Sequence, residues 1–266
     1  MGPASFLMLP PRPSKPRSTG LTHVLDPGVT PAQAADVLGG GAPYVDIWKT
    51  GWGTAYVDAR IGEKLGVLAA HDVASCLGGT LLEIAWAQGA AEACLAWAHA
   101  TGFTHVEVSR GTVPMSLDAK HELVRRAADR FVVLTEVGAK DPHQRHTLAQ
   151  WGDEAERDRA AGAALVVAEG RQSGTVGIYD GDGSVREDVV DAVVDAVGLD
   201  RVVFEAPRAR QQAWFIRRFG PGVHLGNVAL DEVLSVETLR LGLRSDTAVA
   251  TAAGTVPDVG AAEPVR

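Results

Sequence analysis

DIWKTGWGT, from Asp46 to Thr54, decides the fold class, because an apolar strand ends there in a lysine and a glycine-rich bend follows. Five further segments repeat this order of an apolar run, a polar cluster and a stretch with helical spacing. They are VEVSRGT from Val106, VVLTEVGAK from Val132, LVVAEGR from Leu165, VVFEAP from Val202 and VHLGNV from Val223. Polar groups that recur at the carboxyl ends of parallel strands are typical of the active site of a β/α barrel. The sequence therefore predicts an α/β protein, a (β/α)8 TIM barrel with one polar rim.

The composition fits one soluble globular domain. The chain has 266 residues, 46% apolar and 22% charged, and a β/α barrel of about 250 residues fits this length. The formal net charge is -8 and no basic stripe is visible, which argues against a nucleic-acid partner because phosphate binding needs clustered cations. The sequence contains no apolar run of about 18 residues, the length expected of a membrane-spanning helix. Cys76 and Cys94 lack metal-ligand spacing and the N-terminus lacks the apolar segment of a secretion signal, so we expect a cytoplasmic protein with reduced thiols.

Three parts are expected along the chain. Residues 1–18 are basic and rich in proline, and residues 246–266 are rich in Ala, Gly, Val and Pro without periodicity, so both are predicted to be disordered tails. Residues 19–245 should form the barrel. Its strands are predicted near residues 21–25, 44–49, 73–77, 104–109, 131–136, 164–168, 201–205 and 223–226.

Helices are predicted between the strands. Thr30 and Pro31 should open the first one, and Gly39 should end it. A longer helix is expected from about Leu81 to Ala100, and a late one from about Asp231 to Leu243. Barrels can associate through their outer helices, so a homo-oligomer is compatible with this sequence; Trp86, Trp97 and Trp214 could form such a surface or be buried against neighbouring helices.

Four carboxylates should crowd one cavity at the rim: Glu107, Glu136, Glu169 and Glu205. Side chains alternate along a strand, so these residues reach the mouth if the apolar members of the strands fill the barrel. Crowded carboxylates imply a cation, and hard oxygen ligands favour Mg²⁺. The alternative is a structural ion network with Lys49, Lys140 and Arg171.

Two turns are candidates for anion binding. LGGTLLE, from Leu77 to Glu83, places Thr80 at the positive end of a helix. The predicted turn GNV, from Gly226 to Val228, follows strand 8, where barrels often bind phosphate. Lys140 lies four residues after Glu136, past Gly138, and is either a proton donor or acceptor or a solvated loop charge. His143 and His146 are spaced like ligands on a loop, but without further neighbours they are expected to be solvent-exposed.

Eight segments carry a family resemblance: GLTHVLDPG from Gly20, YVDIWKTGWGT from Tyr44, GGTLLE from Gly78, GFTHVEVSRGT from Gly102, VLTEVGAK from Val133, EGRQSG from Glu169, FEAP from Phe204 and DEVLSVETLRLGLRSDT from Asp231. Together they resemble the phosphosulfolactate synthase family, barrel enzymes first associated with coenzyme M biosynthesis in methanogens. The resemblance implies Mg²⁺-assisted addition of sulfite to C3 of phosphoenolpyruvate, giving (2R)-phospho-3-sulfolactate.

The resemblance also implies roles for individual residues. Mg²⁺ would be held by some of Glu136, Glu169 and Glu205, and Lys49 and Arg171 would hold phosphate or sulfite. Lys140, the lysine after the TEVG motif, would protonate C2. The candidates for substrate binding at the rim are Thr80, Ser109, Arg110, Gly226 and Asn227.

The chain departs from the family at Arg110, where relatives tend to carry an acidic or small polar residue. An added cation there fits a different or bulkier anionic substrate, or neutral drift. Two alternatives therefore stay open: a related enolpyruvyl-phosphate enzyme with another nucleophile or acceptor in a bacterial specialised pathway, and a non-catalytic, stress-associated homologue like those of plants.

Overall fold

The described part of the chain contains a closed barrel of eight parallel strands. The computed structural model describes residues 6–138 and 147–248. The strands are β1 Thr22–Asp26, β2 Ile47–Thr50, β3 Ala74–Leu77, β4 His105–Val108, β5 Val132–Val137, β6 Leu165–Ala168, β7 Val202–Glu205 and β8 His224–Ala229. Each strand pairs in parallel with the next, and β1 pairs with β8 to close the ring. All eight predicted strands and the TIM-barrel fold are confirmed.

Helices surround the strands on the outside. Within the described residues they are α1 Pro31–Gly41, α2 Thr54–Val57, α3 Ile61–Ala70, α4 Gly79–Ala87, α5 Ala91–Thr101, α6 Leu117–Ala128, α7 Leu148–Ala161, α8 Glu187–Val197, α9 Ala209–Phe219 and α10 Val233–Arg240. Thr30 caps α1 in a reciprocal arrangement with Gln33, so the predicted start is confirmed. None of the described helices is both long and apolar enough to cross a bilayer.

Three helix predictions were wrong in extent, and the first is α1, which continues past the predicted end at Gly39 to Gly41. The helix expected from Leu81 to Ala100 is two helices, α4 and α5, because the chain turns at Gly89 with φ of 72°. Only glycine adopts that backbone conformation without steric cost, so the break follows from this residue. The late helix α10 begins at Val233, after a short 3-10 turn at Leu230–Glu232, and ends at Arg240.

Apolar side chains fill the barrel directly beneath its polar rim. Ile47, Cys76, Leu134, Val167 and Val203 form a buried cluster inside the ring of strands. Four of them are followed two positions later by Lys49, Glu136, Glu169 and Glu205, respectively. Because side chains alternate between the two faces of a strand, this apolar layer places the charged side chains one step nearer the carboxyl ends. The larger core lies between the strands and the helices.

The described part of the leader, residues 6–18, lies against the barrel, in contrast to the disorder expected of it. The Arg12 guanidinium pairs with Glu237 of α10 at 3.0 Å. The Lys15 ammonium donates to the carbonyl oxygens of Ala42, Val45 and His71 at 2.8–3.1 Å. Composition did not reveal these contacts, because their partners are mostly main-chain oxygens exposed at the ends of elements.

Candidate active site

A cavity of about 490 Å³ opens at the carboxyl ends of the strands. Its walls include seven of the residues predicted for the site: Lys49, Thr80, Glu136, Glu169, Arg171, Glu205 and Asn227. Leu25, Trp52, Glu107, Thr112, Gln172 and Ser173 also line it. The structure therefore brings together most of the predicted side chains at one rim, where β/α barrels carry their active sites.

Lys49 lies at the centre of the floor and is almost fully buried. Its ammonium donates to Glu107 Oε2 at 2.9 Å and to Glu205 Oε1 at 3.1 Å. Burial lowers the pKa of Lys49, but the carboxylates of Glu107, Glu205 and Glu136 together outweigh that effect and hold its pKa well above the usual value. Lys49 is therefore a permanent cation at neutral pH, suited to binding negative charge rather than to moving a proton.

Glu107, Glu136 and Glu205 converge as a group that could hold a metal ion. One carboxylate oxygen of each lies within 4.8 Å of the others, and all three residues are buried. This set differs from the predicted ligands by including Glu107 in place of Glu169, which lines the same cavity. Oxygen donors of this kind suit Mg²⁺.

The charge of the cavity wall fits a divalent cation. Among the described lining residues, Lys49 and Arg171 face four carboxylates, a difference of two negative charges. Crowded carboxylates repel one another, and their excess negative charge would also repel an anionic substrate. A bound Mg²⁺ would balance this excess and allow an anion to enter.

The loop after β6 is fixed to the floor by Glu205. Glu205 Oε2 accepts hydrogen bonds from the main-chain N–H groups of Gly170 and Arg171 at 3.0 and 2.9 Å. Glu169 Oε1 accepts a second hydrogen bond from the Arg171 N–H at 2.6 Å. Arg171 has φ of 53°, in the left-handed region that non-glycine residues rarely adopt. Glu205 therefore positions Arg171 through its main chain while it neutralises Lys49.

The glycine turn before α4 lies in the cavity wall, and its predicted anion binding stays a prediction. The Gly79 N–H donates to Glu107 Oε1 at 3.0 Å, so the helix start is tied to the carboxylate group. A Cβ at Gly78 would lie 2.6 Å from the Thr50 carbonyl oxygen, which explains why a glycine is needed there. Thr80, the second residue of the helix, faces the cavity.

Ser109 and Arg110 were predicted to bind substrate, but neither lines the cavity. The Ser109 hydroxyl donates a short hydrogen bond to Glu83 of α4. The Arg110 guanidinium makes two hydrogen bonds to Glu154 of α7, at 3.0 and 2.9 Å. Both side chains are held by acids on neighbouring helices, which sequence spacing could not reveal.

The prediction of a turn at the GNV segment is also wrong, because Gly226 and Asn227 lie inside strand β8. The pairing of β8 with β1 shifts register there, and Asn227 has φ of 51°. A Cβ at Gly226 would meet Val203 at 3.0 Å inside the barrel, so Gly226 is a packing glycine that does not line the cavity. Asn227 does line it.

The remaining candidates have little bearing on the site. Cys76 is buried inside the barrel, and burial together with Glu107 raises the pKa of its thiol well above the usual value, so it is a packed and unreactive thiol. Lys140, His143 and His146 lie outside the described residues.

The family assignment follows from comparison with known proteins. Residues 10–246 match the family model described as (2R)-phospho-3-sulfolactate synthase (ComA). The chain belongs to this family. It is 42% identical to a phosphosulfolactate synthase of Methanothermobacter thermautotrophicus over 247 residues, covering 90% of this chain and 95% of that protein. It is 37% identical to a phosphosulfolactate synthase of Bacillus subtilis, covering 91% and 97%, respectively.

Solved structures agree on the fold alone. A 3-hexulose-6-phosphate synthase superposes with a TM-score of 0.54 at 15% identity, covering 83% of this chain and 97% of its own. The synthase names of the relatives indicate that this protein is an enzyme that acts on small molecules.

Proposed function

We propose that this protein adds sulfite to C3 of phosphoenolpyruvate, giving (2R)-phospho-3-sulfolactate, in the cytoplasm and with Mg²⁺ assistance. The observation that carries the proposal is the convergence of Glu107, Glu136 and Glu205 in a cavity that Lys49 and Arg171 also line. Family membership and two relatives named phosphosulfolactate synthase support it.

The reaction forms one carbon–sulfur bond and transfers one proton. The sulfur lone pair of sulfite attacks C3, the π electrons of the C2–C3 bond move toward C2 and the adjoining carboxylate, and C2 then takes a proton. Mg²⁺, when bound, supplies positive charge beside the substrate carboxylate, where negative charge grows. Glu107, Glu136 and Glu205 would hold it.

The protein's own residues bind and orient the two anions. Arg171, with its main chain fixed by Glu205, presents a guanidinium that can pair with phosphate or sulfite oxygens. Lys49 keeps its charge throughout, because its three carboxylate neighbours favour the ammonium form. Lys140 is the proposed proton donor to C2, since Lys49 is too basic for that role at neutral pH.

The other candidate functions gain no specific support from the site. Arg110, the cation that suggested a bulkier anionic substrate, pairs with Glu154 away from the cavity. The cavity gathers four glutamates together with Lys49 and Arg171, and this combination favours an enzyme over a non-catalytic homologue.

Phosphorus NMR of the purified protein with phosphoenolpyruvate, sulfite and Mg²⁺ tests the proposal. We expect a new phosphate ester whose appearance requires sulfite, and no product with chelator in place of Mg²⁺. Lys140→Ala should abolish turnover without changing the melting temperature, while Arg125→Ala, on the exposed face of α6, should leave turnover unchanged. Full activity of Lys140→Ala would remove that residue from the mechanism, and no sulfite-dependent product from the wild type would reject the reaction itself.

A further inference from the structure

Lys120, on α6, is a fully buried cation that does not line the cavity. Its ammonium donates to the Glu136 main-chain oxygen at 2.8 Å, to Glu154 Oε1 at 2.8 Å and to Asp158 Oδ2 at 2.6 Å. An ammonium group has three donors, and burying it is costly unless they are paired. The three acceptors meet this need, and because they belong to β5 and α7, Lys120 joins both elements to α6.

The Glu136 oxygen connects Lys120 to the candidate active site. The pairing of β5 with β4 ends at Thr135, whereas its pairing with β6 continues to Val137. Glu136 therefore lies just beyond the part of β5 that β4 supports. A buried main-chain oxygen needs a hydrogen-bond donor, and at this end of β5 the Lys120 ammonium supplies one.

The side chain of the same residue belongs to the carboxylate group of the cavity. One Glu136 oxygen lies within 4.8 Å of an oxygen of Glu107 and of Glu205. A site of this kind works only when its groups are held to within about 0.5 Å of the productive geometry. The position of the Glu136 main chain, which carries the carboxylate, therefore bears directly on metal binding.

The acids on α7 hold Lys120 in place at neutral pH. Glu154 also accepts two hydrogen bonds from Arg110, so the charges of Lys120 and Arg110 offset those of Glu154 and Asp158. Burial raises the pKa of Glu154, but Lys120 and Arg110 outweigh this effect and bring its pKa to about 2. Glu154 therefore stays ionised, and the Lys120 ammonium keeps its position against β5.

We propose that Lys120 is a positioning residue for Glu136: by holding the main-chain oxygen, it keeps the carboxylate in the geometry that binds Mg²⁺. This inference rests on the Mg²⁺ site of the proposed function and adds to that site a residue outside the cavity. Residues that orient the ligands of a metal typically contribute about 10–100-fold to its affinity.

A double-mutant cycle on Mg²⁺ affinity tests the proposal. Isothermal titration calorimetry of the chelator-treated full chain with Mg²⁺ alone compares the wild type, Lys120→Met, Glu136→Gln and the double variant. We expect Lys120→Met to weaken Mg²⁺ binding about 10–100-fold in the wild-type background. It should have little further effect in the Glu136→Gln background, because Lys120 acts through Glu136.

The possible failures of this experiment are distinguishable. Unchanged Mg²⁺ affinity of Lys120→Met, or losses that add in the double variant, would overturn the role of Lys120 and leave the Mg²⁺ site standing. A wild type that binds no Mg²⁺ would overturn the metal site of the proposed function, and the role of Lys120 with it.

Two further variants separate positioning from stability. Lys64→Met is the matched control, because Lys64 is equally buried and bridges Asp26 and Asp58, and none of these three residues lines the cavity. It should lose stability but bind Mg²⁺ as the wild type does. Lys120→Met combined with Asp158→Asn removes a cation and an acid together, so this variant keeps its charges balanced if the single variant does not fold. It should bind Mg²⁺ about 10–100-fold more weakly than the wild type. Wild-type affinity in this folded double variant, or an equal loss of affinity in Lys64→Met, would refute the role of Lys120.

Discussion

Replacing Lys49 with methionine removes the cation from the floor of the candidate site and leaves its acids buried together. The ammonium lies 2.9 Å from Glu107 and 3.1 Å from Glu205. At an effective dielectric constant of about 20, each pair at roughly 3 Å gives on the order of 5 kcal/mol of attraction, offset by the cost of burying the ions. Removing one partner of a buried pair typically costs about 3–5 kcal/mol. We therefore expect Lys49→Met to lower the free energy of unfolding by about that amount at neutral pH.

Mg²⁺ should restore part of this loss if the three glutamates form its site. Urea unfolding of Lys49→Met with Mg²⁺ or with chelator measures the effect, and Mg²⁺ at about 100 times its dissociation constant would add roughly 2.7 kcal/mol. Lys64→Met is the matched control, because Lys64 is equally buried and bridges Asp26 and Asp58 at 2.9 and 3.0 Å. It should lose stability without rescue by Mg²⁺. Unchanged stability of Lys49→Met, or equal rescue of both variants, would refute the reasoning.

Three further outcomes are expected. A Cβ at Gly177, where φ is 65°, would overlap the Glu169 carbonyl oxygen, so Gly177→Ala should lower the melting temperature. Gly66→Ala is the control: Gly66 is at an exposed position of α3 with open space around it, so this change should raise stability by about 0.5–1 kcal/mol. Glu83 accepts hydrogen bonds from the Thr112 N–H at 2.6 Å and from the Ser109 hydroxyl, so Glu83→Gln should loosen the cavity wall at Thr112 and lower kcat/KM about tenfold. Glu122→Gln, at an exposed position of α6, should leave steady-state kinetics unchanged. Burial lowers the pKa of His105 to about 4, so between about pH 6.5 and pH 4 the unfolded chain binds a proton that the folded protein does not, and the free energy of unfolding falls with pH. His105→Gln should remove up to about 3 kcal/mol of this acid-induced loss of stability. A variant whose stability falls with pH as steeply as that of the wild type would contradict this expectation.

The strands and the charged rim could be predicted because both depend on local patterns. An apolar residue followed two positions later by a charged one, as in Ile47 and Lys49 or Val203 and Glu205, places the first inside the barrel and the second at its mouth. Parallel β/α order then brings the carboxyl ends together, whatever the distance along the chain.

Contacts between elements could not be predicted from the sequence. Ser109 and Arg110 follow the same strand as Glu107, yet Glu83 and Glu154 on helices hold them, and nothing local to β4 reveals those partners. Glu107 was predicted to share the cavity, but its place in the close carboxylate group instead of Glu169 depends on distances that spacing does not give. The GNV segment resembled a turn because glycine and asparagine favour turns, but the barrel uses the same flexibility for a shift of register within β8.

The salt bridge between Arg12 and Glu237 has a consequence for folding during synthesis of the chain. These residues are separated by 225 positions, and the ring of strands likewise closes only when the first meets the last. A nascent chain on the ribosome therefore carries two open sheet edges until nearly the whole protein has emerged. Such long-range closure makes folding slow and leaves incomplete chains prone to aggregate, so premature termination before β8 should yield insoluble protein rather than a smaller functional enzyme.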